Sequence, residues 1–361
     1  MAIRCFPLRA LLMPLATLLL LVTLLLTPLS TLQAADHMRV GVLLPTLSNP
    51  FWQNYTAFIQ EIAKQLEIEV EVVDFHTDER KQLVEIKKMI NKRLDGLIIT
   101  PQTVQIGPAL ITLAQKAKIP LVVTDRWPGI DPRNYSWDGY VGFIGPDDVD
   151  TGYRIAKTLI QQQGRKRLIA LNGVRGASVA EGRYQGLKQA LQEHPDVRLL
   201  DAVWVGETKE KGQQAMRALL PQYEQHIDGV WCYNDALALG ALAELKQPGT
   251  VARQHAMDVV GMDLIPGALE KITQGEMLAS FGGHWMQGGF GLIMLYDYLH
   301  SYQPNPDYKV VKLKLLKVTK QNVKQFKQQF IDAPPRFSAR SASMALNPEA
   351  TGKYFFEIEL K

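Results

Sequence analysis

An α/β fold of two lobes, each a parallel sheet covered by helices, is what this sequence predicts. Three observations carry that expectation. From Arg39 onward, short apolar runs alternate with stretches of helical periodicity, and strands that must return over a helix before pairing again make parallel sheets. The alternation breaks at the irregular WPGIDPRNYSWDGYVGFIGPDD and then restarts, leaving two successive βαβ series. With 361 residues, the chain is long enough for each series to build its own core.

The first series opens on RVGVLLPT, a continuous apolar run expected as a buried strand. FWQNYTAFIQEIAKQL follows, with Phe51, Tyr55, Phe58, Ile62 and Leu66 along one helical face. EVEVVDF is the next strand, DERKQLVEIKKMINKRL a helix, DGLIITP a strand, GPALITLAQKAK a helix and IPLVVTDR a strand. The second series runs from RKRLIALNG through SVAEGRYQGLKQALQEH, VRLLDAVWV, KEKGQQAMRALLPQY, IDGVWCYND and ALALGALAEL to DVVGMD, PGALEKITQG and MLASFGGHW. In the tail, NVKQFKQQF has helical spacing and KYFFEIEL has the composition of a strand. Neither series carries G-x-G-x-x-G opening a helix after its first strand, so the dinucleotide fingerprint is absent. NGVRGAS places two glycines at a strand-to-helix turn, either a plain turn or a cradle for an anion.

Composition narrows the function classes. The chain is 47% apolar and 21% charged, an ordinary soluble balance, and its formal charge is only +4. No dense Lys/Arg block occurs, which argues against a nucleic-acid partner. Residues 1–34 read as a cleaved export signal: MAIRCFPLR has arginines and no acid, ALLMPLATLLLLVTLLL is apolar, and TPLSTLQAAD supplies small residues at a cut after Ala34. An uncleaved anchor is the competing reading, disfavoured by Pro14, Pro28 and the lack of a charged stop. Removal of the signal takes Cys5 with it and leaves Cys232 alone, so no intramolecular disulfide is expected. Cys232 lies in an apolar strand and reads as a core residue rather than a nucleophile.

Ligands of open α/β sheets bind outside the carboxyl ends of the strands. The residues expected there are Asn49, Phe51 and Trp52 after the first strand, and Asp125, Arg126 and Trp127 after the fourth. In the second series they are Ser178, Arg183, Asn234, Asp235, Asp263, His284 and Trp285. The set has no nucleophile–base pair, no metal-ligand spacing and no Walker loop, so neither catalysis nor a cofactor is expected. Its mixture suits a hydroxylated ligand. Aspartate accepts, arginine donates, asparagine does both, and the C–H face of a sugar ring lies flat on an aromatic. Each residue also has a plain structural reading: Phe51 fits the helix's core stripe, Asp235 fits a helix cap, and Asp125 with Arg126 fits an inter-loop ion pair.

SNPFW, DGLIITP with AKIPLVVTDR, GASVAEGRYQG, CYNDALALGAL and VVGMD occur in that order. With them, the chain from about Arg39 to about Leu316 resembles the type 1 periplasmic sugar-binding proteins of the ribose- and galactose-binding kind, which share their fold with lac-repressor-type effector domains. The resemblance implies a periplasmic, non-enzymatic binder whose lobes are joined by a three-strand hinge. It implies ligand contacts at Asn49, Phe51, Trp52, Asp125, Arg126, Arg183, Asn234 and Asp263. His284 stands where the family often has glutamine, and Glu207 near a position often aromatic. The crossings fall near Gly145–Asp148, His284–Met286 and Lys312–Leu316, giving one lobe of residues 36–145 plus 285–313 and a second of 146–284 plus 314–361. The implied partners are a sugar and an ABC permease, with the chain a monomer. The extended tail leaves a second partner open, a membrane sensor kinase, as in autoinducer-2 receptors. A transcriptional regulator is disfavoured because an export signal stands where the DNA-binding segment would be.

Overall fold

The computed structural model describes residues 37–162, 166–223, 226–248, 257–302, 305–332, 337–354, 356 and 358–360. The export signal expected over residues 1–34 lies outside them. The first sheet is built from β1 (Arg39–Leu44), β2 (Glu69–Asp74), β3 (Gly96–Ile99), β4 (Leu121–Thr124), β5 (Tyr140–Pro146) and a late strand, β11 (Val310–Leu313), in the order β11-β5-β4-β3-β1-β2. All its pairings are parallel. The second holds β6 (Arg167–Asn172), β7 (Arg198–Trp204), β8 (Gly229–Cys232), β9 (Asp258–Asp263), β10 (Ala279–Gly282) and β12 (Leu316–Thr319), ordered β12-β10-β9-β8-β6-β7. There only β12 is antiparallel, to β10. Each sheet with its helices is one lobe of the expected α/β fold.

Local chemistry starts the helices where the pattern implies. α1 (Pro50–Gln65) begins with proline in its first turn, and the Asn49 side chain accepts from the Phe51 amide. α2 (Glu79–Ile90) is capped by Asp78, which accepts from the amides of Arg80 and Lys81. α3 (Gly107–Ala117) ends at Lys118 in the left-handed region. α4 (Asp148–Ile160) follows β5, and α5 (Ser178–Gln192), α6 (Lys209–Tyr223), α7 (Asp235–Leu245) and α8 (Pro266–Gln274) follow successive strands of the second sheet. α9 (Gln287–Leu299) is apolar on nearly every side because it is buried on nearly every side. β5, α4 and α9 were not expected. β5 is a fully buried run, YVGFIGP, inside the stretch read as irregular.

The chain passes between the sheets after β5, through the short 3-10 turn His284–Met286 before α9, and from β11 to β12. α10 (Val323–Lys327) and a π-helical turn, Gln328–Asp332, lie beyond. The tail then departs from expectation. Residues 337–354 and 356 pack on α1 and α9. Phe337 packs edge-on against Phe58, and Phe356 stacks on Phe290 at 4.4 Å. Gln65 donates to the Phe337 carbonyl and accepts from the Ala339 amide. The described residues of KYFFEIEL form no strand. Its aromatic rings cover α9 instead of extending a sheet.

Candidate functional site

All nine expected contact residues line one cavity: Asn49, Phe51, Trp52, Asp125, Arg126, Arg183, Asn234, Asp263 and His284, with Glu207 and Tyr233 beside them. It encloses about 310 Å³ of empty space, open mouth included. Trp127, Ser178, Asp235 and Trp285 do not line it. Trp127 packs edge-on against Phe143, and Trp285 against Phe326. The expected cap at Asp235 is a correction. Asn234 caps α7, accepting from the Leu237 amide, while the Asp235 carboxylate receives the Ser280 hydroxyl and the Ile265 amide.

The first-lobe wall starts at α1. Phe51 meets Trp52 edge to face at 4.9 Å, and its ring lies against His284 at 4.5 Å and 35°. Trp52 continues to Tyr55, whose hydroxyl hydrogen-bonds Thr124 at the end of β4. Asp125 follows with φ +64°, a left-handed backbone uncommon for a residue with a side chain. Gln287, the first residue of α9, donates to the Asp125 carboxylate at 2.7 Å. Arg126 donates Nη1 to the carbonyl and side chain of Gln102, and Nη2 to both oxygens of Glu207 at 3.0 and 3.2 Å. That last pair ties the two lobes together, because Glu207 lies beyond β7.

The second-lobe wall depends on a close helix crossing. A Cβ at Gly152 in α4 would sit 2.0 Å from the Arg183 carbonyl oxygen, so glycine lets α4 and α5 approach. The approach brings the Arg183 Nε to 3.0 Å from Asp148, while Nη1 donates to the Tyr233 carbonyl at 2.9 Å. The guanidinium also lies 4.4 Å from the Tyr233 ring centre. Asn234 donates its amide to the Glu207 carbonyl, and the Tyr233 hydroxyl to the Glu207 carboxylate. Asp263 ends β9 with φ +123°, a strained backbone that aims its carboxylate at the cavity. Its nearest charged-type neighbour is His284, with Nε2 at 3.6 Å.

Burial dominates the electrostatics. It pushes Asp125 up despite the Arg126 charge, and pushes Asp263 well up against the pull of Arg183. His284 is driven well below the ordinary histidine range by burial and by Arg183, so its ring is neutral. Asp148 is pushed up to about 7 by burial, which outweighs Arg183 beside it. Burial also works against the Arg183 proton, but the surrounding oxygens hold it. The pair is thus pulled in opposite senses, and the guanidinium's preference is the firmer because arginine does not deprotonate in proteins. Near neutral pH the Asp148 carboxyl sets the state of the pair.

Glu207, Tyr233 and Gln287 were missing from the expected set. Tyr233 and Glu207 do follow strand ends, so the carboxyl-end rule reaches them; Tyr233 was read as the end of its strand. Gln287 carried no such signal, because α9 was not expected and its contact with Asp125 joins residues 162 apart in sequence.

Two open, mostly parallel sheets with a polar and aromatic cavity between their carboxyl ends define a two-lobed binder of small solutes. The chain belongs to the periplasmic binding protein domain family, whose model matches residues 40–301. It is similar to the ribose import binding protein RbsB of Salmonella typhimurium, 28% identical over 67% of this chain and 77% of that protein. It is also similar to the D-allose-binding periplasmic protein of Escherichia coli, 26% identical over 80% and 92%. Among solved structures, an ABC transporter periplasmic solute-binding protein from Actinobacillus succinogenes with bound D-allose superposes with a TM-score of 0.70 at 24% identity, covering 80% of this chain and 99% of that one.

Proposed function

We propose that this chain is the periplasmic capture component of an ABC importer, taking a small sugar or related hydroxylated molecule into the cleft between its lobes. The observation that carries the reading is the shared cavity: residues from both sheets, far apart in sequence, converge there with aromatic faces, carboxylates and guanidiniums together. Trp52 and Phe51 offer platforms for the C–H face of a ring. Asp125 and Asp263 accept from hydroxyls, and the remaining donors of Arg126 and Arg183 give to them.

The mechanism is a shift between open and closed lobes. A ligand touching both walls binds the closed arrangement more tightly than the open one, and only that difference can drive closure. The three strand crossings serve as the hinge, and the permease reads the closed form. The lobe boundaries lie at those crossings, and the part of the tail that packs on α1 and α9 is counted with the first lobe. Residues 1–34 act as a cleaved export signal, and the mature chain works as a monomer that binds without turnover. Relatives named for import and for periplasmic binding support the importer over a sensor-kinase adaptor.

A thermal-shift screen of the mature protein against monosaccharides, polyols and autoinducer-2 tests this reading. A ligand at about 100 times its Kd stabilises by about 2.7 kcal/mol, a shift of several degrees. A screen in which no hydroxylated compound raises the melting temperature overturns the proposal.

A further inference from the structure

We infer that the preferred ligand carries an amino group: the cleft is built for a hydroxylated molecule bearing an ammonium, with Glu207 and Asp263 as its determinants. The inference rests on the reading of the cavity as a sugar site and names the class of sugar.

The argument is an accounting of donors, acceptors and charge. Each guanidinium at the cavity already holds a carboxylate, with the Arg126 Nε left as a buried donor without a hydrogen-bond partner. Arg126 gives Nη2 to Glu207 and Nη1 to Gln102, and Arg183 gives Nε to Asp148. Asp125 and Asp263 are then left facing the cavity without a cation of their own in hydrogen-bond contact. Asp125 receives the Gln287 amide and lies 3.8 Å from the Arg126 Nε. Among the described residues, the basic group nearest the Asp263 carboxyl is the His284 ring, held neutral by burial, at 3.6 Å and beyond hydrogen-bond length. Counting Asp148 behind Arg183, four carboxylates surround a buried space that holds two guanidiniums.

Such a group of buried carboxyls is costly to ionise unless a donor or cation offsets it. A neutral sugar satisfies the acceptors through its hydroxyls but leaves Asp125 and Asp263 to hold protons, as burial already favours. An ammonium is three donors with no acceptor, and it supplies the missing charge as well. A phosphate or carboxylate ligand would meet carboxylates on both walls, with the charges of Arg126 and Arg183 each already paired to one. Glu207 contributes twice, adding a negative charge and drawing Arg126 away from the ligand.

Isothermal titration calorimetry on the mature protein tests this with matched sets: a neutral hexose or pentose, its amino-deoxy analogue, the N-acetylated form of that analogue, and the sugar phosphate. Wherever a set binds, the amino member is expected to bind at least about tenfold tighter than the neutral parent, roughly 1.4 kcal/mol. The N-acetyl form, similar in connectivity but uncharged, should lose that gain, and the phosphate should fail to bind. E207Q keeps the size and removes the charge, so it should shrink the amino preference several-fold. Sets in which the neutral parent or the phosphate binds tighter than the amine overturn the inference and leave the sugar-binding reading standing. An amino preference unchanged in E207Q overturns the role of Glu207. If no member of any set binds, the reading and the inference fall together.

Discussion

Truncating Arg183 removes a guanidinium from the cleft and, at the same time, the cation that touches buried Asp148. Arg183→Ala is therefore expected to lower stability by about 3 kcal/mol, because the buried Asp148 carboxyl and the Tyr233 carbonyl both lose their donor. Arg183→Ala with Asp148→Ala should recover part of that loss in urea melts. Asp263→Asn isolates binding more cleanly. It is nearly isosteric, takes an ionisable group out of a buried strained site, and leaves no protein donor without a partner, since among the described residues none donates to this carboxyl and His284 stands off at 3.6 Å. We expect this variant to be at least as stable as the parent while ligand affinity falls by about 2 kcal/mol or more. A destabilised Asp263→Asn protein with normal affinity would reverse both roles. At this scale, Asp125 and Arg126 were legible because they directly follow a strand, and Asn49, Phe51 and Trp52 because they lie where the loop after β1 turns into α1. Gln287 was not, since nothing local links it to Asp125.

The tail is the element with the most unexpected placement, and Asp297 explains it. This buried carboxylate in α9 accepts from the hydroxyls of Ser343 and Tyr354 and from the amides of Met344 at 2.8 Å and Ala345 at 3.1 Å. Phe337 and Phe356 cover the neighbouring face of α9 at Phe290. Asp297→Ala leaves those donors without their acceptor at roughly 1–3 kcal/mol each when they stay buried. The expected outcome is a loss of about 3 kcal/mol in denaturant melts, with cleavage of the tail the first event in limited proteolysis. A tail as protected in the variant as in the parent would show that the aromatic contacts alone hold it. The sequence offered aromatics and alternation in KYFFEIEL, which read as a strand; the carboxylate that receives the segment sits 57 residues before Tyr354.

Across the whole molecule, pH should act through the cleft. Asp125, Asp148, Asp235 and Asp263 are all raised by burial, Asp148 and Asp235 to about 7. In the unfolded chain they return to an ordinary aspartate value of about 4. Between those limits the folded protein holds protons that the unfolded chain has released, so stability falls as pH rises from about 4 to about 7. The ligand-free protein should therefore melt at a higher temperature at pH 5 than at pH 7.5. Asp148→Asn and Asp263→Asn should flatten that slope in scanning calorimetry. A melting temperature that climbs with pH over this range would mean that these carboxylates are ionised and paired in the fold.

The sequence by itself determined the two βαβ series, the starts of α1 and α2 at their caps, and the strand ends from which the cavity residues project. Those features are local: apolar periodicity, capping side chains and the position of polar residues after strands all act within a few turns of chain. Only the tertiary structure decided that Arg126 meets Glu207 across the lobes, that Gln287 holds Asp125, and that the tail docks on α9. Each joins residues dozens to more than a hundred positions apart, and such contacts are set by how close the packed helices and sheets can approach, a quantity no short window of sequence contains.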